Sequence, residues 1–188
     1  MTDFSSKGKE KYQAAYAMQT AQAVGTHLAA YIDRFAIAGS LRRGKPWVHD
    51  VDLVCIPKIV MMPARRPTLF LTQEPVNQVG LKLLKFNDEH VITDLVIGEK
   101  LARFTWIESG VPVDIYFADE STWHTILLIR TGSKEHNFCL CKIAAAMGGR
   151  LHADGRGLEL SDGTFAKITS EEDIFQLLGT AFRKPGER

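Results

Sequence analysis

The sequence predicts an α+β protein: a mixed β-sheet flanked by a helix or two over residues 1–118, and a smaller α/β domain over residues 119–188. Three observations carry this. An apolar stripe of period four near the N-terminus gives way to short strand-like runs. Two alternating segments, KLARFTWI and VPVDIYFA, flank Glu108-Ser109-Gly110 as a hairpin would. After residue 120 the pattern becomes helical, broken at Thr131-Gly132-Ser133 and again at Gly148-Gly149.

Taken in order, Tyr12, Tyr16, Val24, Leu28 and Ile32 fall at multiples of four and predict a helix over 9–33. FAIA (35–38) is a short strand ending at Gly39-Ser40. VDLVCI (51–56) is another, stopped by Pro57. Residues 60–75, rich in Pro, Arg and Met, read as an irregular connection, with a short helix near 75–86. Helices follow over 121–130 and 134–147. Residues 150–168 hold short strands with turns at Asp154-Gly155 and Asp162-Gly163. The last helix has an N-cap at Ser170, acidic residues in its first turn, and Gly179 where a C′ glycine belongs.

The composition is that of a globular chain with a sizeable core: 188 residues, 45% of them hydrophobic. Lys and Arg (23) balance Asp and Glu (22), so net charge does not advertise a polyanionic partner. The balance is sided, however. Residues 1–48 carry seven Lys/Arg against three Asp/Glu, and residues 154–173 carry two against six. Three cysteines without a CxxC spacing predict reduced thiols, hence a cytoplasmic or nuclear, reducing compartment and no secretion. There is no apolar stretch for a signal peptide or a membrane span. The six histidines lack zinc-ligand spacing, and Trp106 and Trp123 read as core.

The chemistry concentrates in 39-GSLRRGKPWVHDVDLVCIP-57. On a strand, Asp50 and Asp52 would share one face about 6.5–7 Å apart while Val51 and Leu53 enter the core. Asp114, in Pro112-Val113-Asp114-Ile115-Tyr116, would join them from an adjacent strand. Three carboxylates on one face repel unless cations neutralise them, which points to a two-metal site handling phosphates. Gly39-Ser40 offers backbone and hydroxyl donors. Of the adjacent Arg42 and Arg43, one can grip phosphate while the other binds locally.

Gly39-Ser40 followed by Asp50-Val51-Asp52 and a distant Asp114 resembles the nucleotidyltransferase superfamily. GSLRRG with DVD is similar, more narrowly, to the family X DNA polymerases, relatives of DNA polymerase beta. The segments 131-TGSKEHN-137, 148-GGRLHADG-155 and 171-EEDIFQLLGTAFRKPGER-188 resemble that family's thumb. The similarity runs from about residue 10 to the C-terminus and is poor over 58–98.

The resemblance implies a nucleotidyltransferase palm with a mixed sheet (1–118) and a small thumb (119–188), the minimal palm-plus-thumb form. It implies a DNA-directed DNA polymerase using two Mg²⁺ ions, or Mn²⁺, to add dNMP to a primer 3′-hydroxyl, and short-gap filling in DNA repair. Asp50, Asp52 and Asp114 would be catalytic and bind metal. Gly39, Ser40, Arg43, Gly132 and Asn137 would bind the incoming dNTP. Lys134, Lys142, Arg150, Arg183 and Lys184, with Arg188, are the candidate DNA contacts. The partners expected are gapped or primer-template DNA and dNTPs, with the protein a monomer and no membrane.

Three departures stand out. Ile129-Arg130 replaces a frequent aromatic pair, Cys141 replaces a template-contacting arginine, and His49 replaces a glycine, where it can touch phosphate or cap the strand. The alternatives are a nucleotidyltransferase with a non-DNA acceptor and a DNA-binding scaffold without catalysis.

Overall fold

A computed structural model describes residues 10–64 and 72–188. The elements are β1 (Tyr12–Gln13), α1 (Ala14–Leu28), β2 (Ile32–Ile37), α2 (Gly39–Arg42), β3 (Trp47–Val48), β4 (Val51–Pro57), β5 (Ile59–Pro63), β6 (Gln73–Asn77), α3 (Gln78–Asp88), β7 (Ile92–Ile97), β8 (Leu101–Trp106), β9 (Val111–Phe117), α4 (Trp123–Thr131), α5 (Lys134–Ala146), β10 (Arg150–His152), β11 (Gly157–Glu159) and α6 (Glu171–Leu177). A five-stranded sheet in the order β2-β4-β9-β8-β7 is the centre of the first unit. Strands β4 and β9 run parallel and the other pairs antiparallel, so the sheet is mixed as expected.

The two faces of this sheet do different work. Val51, Leu53 and Cys55 of β4 and Val113, Ile115 and Phe117 of β9 pack on one face against α1 and α3. Helix α1 supplies Ala17, Ala21, Val24 and Leu28 at helical spacing. Helix α3 starts where the Asn77 side chain accepts from Val79 N (2.9 Å) and Gly80 N (3.3 Å). The alternate residues of β4, Val54 and Ile56, face the other way and meet Trp123, Ile126 and Leu127 of α4. Asp52 and Asp114 sit in that second alternation, so the period of two hands both carboxylates to the α4 side.

Helix α4 is apolar nearly all round. Leu128 and Ile129 enter a second core with Leu140 and Ala144 of α5, Leu151, Leu158, and Ile174 and Phe175 of α6. It therefore belongs to both cores, as a buried helix should. Helix α5 begins at Ser133, whose hydroxyl accepts from His136 N, and α6 has the full Ser170/Asp173 capping box. Gly179 follows with φ 65°. Trp106 and Trp123 are buried.

Two expectations are corrected. The helix expected over 9–33 is α-helical over Ala14–Leu28 and ends in a 3-10 turn over Ala29–Tyr31, and residue 9 lies outside the described residues. Tyr12 belongs to β1, and Tyr16 is exposed. Ile32 opens β2, because 32–37 pairs with β4 and a sheet partner outweighs a weak helical period. The irregular connection expected over 60–75 is largely a hairpin, β5 against β6, from Ile59↔Asn77 to Pro63↔Gln73; residues 65–71 lie outside the described residues. Its prolines disguised the strands, and a two-stranded ribbon has free edges where a missing N–H is tolerated.

Candidate active site

Strand β4 begins at Val51, so Asp50 lies in the bend just before it and Asp52 on the strand. Asp52 and Asp114 are direct partners across the parallel β4–β9 pair, which brings together carboxylates 62 positions apart in sequence. Chain reversal between β2 and β4 places Gly39 against Asp52. A Cβ on Gly39 would lie 1.9 Å from Asp52 Oδ2, and its φ is +59°; both conditions demand glycine.

The two arginines point to different places. Arg42 is tied down locally, donating to Thr131 Oγ1 (2.6 Å) and pairing with the buried Glu171. Arg43 donates through Nη1 to the Thr131 carbonyl, while its buried Nε has no protein partner. A guanidinium anchored at one end on the wall of a cleft can pair with an anion.

The electrostatics are strained on the carboxylate side. Burial, then the charges of Asp50 and Asp114, push the Asp52 carboxyl up to about 7, partly offset by Arg43 and Arg130. Asp114, only 4% exposed, is gripped in two-pronged fashion by Arg103: Nε to Oδ1 and Nη2 to Oδ2, each 2.6 Å. The Tyr116 hydroxyl, pushed up to about 12 chiefly by burial, stays protonated and donates to Asp114 at 3.4 Å. Among the described residues no three carboxylate, histidine or cysteine side chains are gathered closely enough to hold an ion as they stand. The donor set still fits divalent cations. Burial and two like charges weigh against the Asp52 carboxylate, and a guanidinium already stands in as the counter-charge on Asp114.

A cleft of about 500 Å³ opens beside these groups. Gly39, Ser40, Arg43, Asp50, Asp52, Gly132 and Asn137 all line it, together with Lys134. Asp114 is not among its lining residues. Asn137 donates from Nδ2 to the Ile129 carbonyl (2.7 Å), and its buried Oδ1 has no protein partner. His49 also lines the cleft, its Nδ1 donating to the Glu10 carbonyl at 2.8 Å. Lys142, Arg150, Arg183 and Lys184 are exposed and lie outside the cleft. Arg188 is corrected: it is buried, paired with Glu171 at 2.6 Å, and packs near Phe175 and Phe182. Its charge is consumed inside the chain.

Sequence reasoning missed Arg103, Tyr116 and the placement of Arg130, whose guanidinium stacks over the Tyr116 ring at 4.1 Å inside the cleft. Arg103 had a signal. With the hairpin closed between Trp106 and Val111, counting back three pairs puts Arg103 opposite Asp114.

A mixed sheet carrying Asp52 and Asp114 side by side, fronted by a Gly-Ser turn and an arginine, is the arrangement expected of a nucleotidyltransferase palm. The comparisons with known proteins narrow this. The family model for the DNA polymerase beta thumb matches residues 126–188. The DNA polymerase/3′-5′ exonuclease PolX of Bacillus subtilis (strain 168) is 27% identical over 183 residues, which is 95% of this chain and 29% of that protein. The chain thus spans less than a third of its curated relative's length. Two structures of Leishmania infantum polymerase beta share the fold. The ternary primer-template complex has a TM-score of 0.75 at 22% identity, covering 95% of this chain and 77% of that one. The ternary gap complex has a TM-score of 0.73 at 20% identity, covering 95% and 71%. Thumb model, sequence relative and shared fold all lie on the side of the family X DNA polymerases, to which the chain is similar.

Proposed function

We propose that this chain extends a DNA primer by one nucleotide at a time, joining the α-phosphorus of a dNTP to the primer 3′-oxygen and releasing pyrophosphate, in short gaps of the kind left in DNA repair. The observation that carries this is a single cleft lined by Ser40, Arg43, Asp50, Asp52, Gly132 and Asn137. Ser40 and the Arg43 guanidinium, both lining the cleft, take the triphosphate. Gly132 leaves the sugar room beside the Arg43 guanidinium, which a Cβ there would approach to 3.0 Å. Asn137, fixed by the Ile129 carbonyl on the wall of the cleft, meets the base edge.

Asp50, Asp52 and Asp114 would hold two divalent cations, magnesium or manganese. When bound, these supply a lower pKa for the attacking hydroxyl and neutralise the departing pyrophosphate. Asp52 would bind as the carboxylate, its proton released to solvent. Asp114 must exchange the Arg103 guanidinium for its new partners, after which its carboxylate is free to take the primer hydroxyl proton. The Arg103–Asp114 pair is also the one observation favouring DNA binding without catalysis.

Primer extension on one-nucleotide-gapped DNA with each dNTP, with and without Mg²⁺ or Mn²⁺, tests the proposal. Metal-dependent incorporation of the complementary dNMP is expected, lost in Asp52→Asn and Asp114→Ala. Full activity in a folded Asp114→Ala protein, or tight DNA binding with no incorporation, overturns it.

A further inference from the structure

The three tryptophans are not placed alike. Trp106 and Trp123 are buried, the first edge-on to Phe86 and the second beneath the Arg34 guanidinium. Trp47 is 53% exposed, and among the described residues no aromatic ring or cation stacks on it. Its neighbour on β3, Val48, enters the core. Successive strand residues point to opposite faces, so the Trp47 ring is turned outward, and there it lines the cleft. The core does not account for a tryptophan at this position.

The cleft is lined from two separate places in the fold. Gly132, Lys134 and Asn137 come from the junction of α4 and α5, while Trp47 comes from β3. Helix α2, which carries Ser40 and Arg43, stands between them. It packs on α4, where Arg43 donates to the Thr131 carbonyl, whereas β3 packs on α1 and pairs with β1 through Gln13↔Trp47. A nucleotide with its base toward Asn137 and its phosphates on Ser40 and Arg43 thus directs its last phosphate to the Trp47 side. The indole offers nothing to a phosphate that Arg43 does not offer better. It does offer a broad face to a planar group, and stacking of that kind accepts any base. A protein partner would be expected to cover a wider apolar patch than one ring.

We propose that Trp47 stacks the second base of a dinucleoside polyphosphate, a nucleotide whose last phosphate carries another nucleoside. This rests on the nucleotide reading of the cleft and adds a substrate class to it. With a dinucleoside tetraphosphate as donor, the primer 3′-oxygen bonds to the α-phosphorus of the first nucleotide, and the bond from that phosphorus to the oxygen bridging to the β-phosphate breaks. The electron pair leaves with a nucleoside 5′-triphosphate in place of pyrophosphate. The hydroxyl proton goes to Asp114, as in the reaction with a dNTP.

The test uses the full chain with Mg²⁺ and no primer, so that nothing is transferred. Binding of a deoxythymidine–adenosine tetraphosphate is compared with binding of deoxythymidine tetraphosphate, which lacks the second nucleoside. The second nucleoside is expected to strengthen binding about 5- to 100-fold. The comparison compound carries the greater negative charge, so charge cannot produce that gain. Binding should also quench tryptophan emission, which reports Trp47 because the other two rings are buried. Trp47→Ala brings the two compounds to equal affinity. Trp47→Phe keeps the gain and loses the quench. Equal affinities in the wild type, or a gain that survives Trp47→Ala, overturn the proposal. So does primer-template DNA that quenches Trp47 and excludes the dinucleotide, since the ring then belongs to the strand. A chain that shows the Trp47-dependent gain yet incorporates no nucleotide keeps this subsite and loses the polymerase reading. One that extends primers from dNTPs without the gain keeps the polymerase reading and loses the subsite.

Discussion

At the scale of single residues, the candidate site is a problem of like charge. Asp52 shares its surroundings with Asp50 and Asp114, and its carboxyl is pushed up to about 7 by burial first and those charges second. The folded chain then holds a proton that the unfolded chain releases near 3.8. This stability is complete below that value and is lost as pH rises through about 7. Thermal melts in a chelator should show the melting temperature falling between about pH 4 and pH 8. Asp52→Asn should flatten that fall, and Mg²⁺ or Mn²⁺ should reverse it at pH 8 in the wild type alone. Gly39→Ala is expected to displace the Asp52 carboxylate, because no Cβ fits 1.9 Å from its oxygen. Primer extension should drop about 100-fold or more, the usual cost of misplacing a reacting group by an ångström, with binding of DNA unchanged. Arg103→Ala should lower the metal-free melting temperature and strengthen the stabilisation by Mn²⁺, since cation and guanidinium compete for Asp114. Equal Mn²⁺ response in variant and wild type would sink that competition.

At the scale of elements, Glu171 joins three of them. It opens α6, pairs with Arg42 of α2, and pairs with the C-terminal Arg188. Arg42 also holds Thr131 at the end of α4. The turn that carries Ser40 and Arg43 is thereby braced against the C-terminal unit. Glu171→Gln leaves Arg188, whose side chain is fully buried, without its counter-charge. The expected loss is about 3–5 kcal/mol in urea unfolding, the range for breaking one side of a buried ion pair. Lys85→Ala, which removes an exposed pair with Glu89, should cost under about 0.5 kcal/mol in the same assay.

At the scale of the whole molecule, charge and length set the partner problem. The net charge is +1, so any hold on DNA must come from placement. Lys134 lines the cleft while Lys142, Arg150, Arg183 and Lys184 are exposed beyond it. If DNA is the acceptor, affinity should fall steeply with salt, and replacing Arg150 and Lys184 with alanine should reduce the log–log slope by about 1.4–1.8. An unchanged slope would remove those two residues from the interface. Among the described residues no helix is long and apolar enough to cross a membrane.

Much of this was legible in the sequence, because the signals were local. The N-cap at Ser170, the hairpin around Glu108-Ser109-Gly110, the alternation of β4 and β9, and the Gly-Ser turn before two aspartates each need only a few adjacent residues to be recognised. The extent of α1 and the β5–β6 hairpin were not, since each depends on a strand partner many residues away. The same holds at the site. Phosphate chemistry restricts residue types enough that the sequence alone singled out Asp50, Asp52, Asp114 and Ser40, while the choice of Arg43 over Arg42 came only from the family resemblance. Only the tertiary structure decided that Asp52 lies beside Asp114, that Arg103 holds Asp114, that Arg130 stacks on Tyr116, and that Arg188 is spent on Glu171. Those outcomes follow from sheet register and burial, and register is a property of pairs of strands.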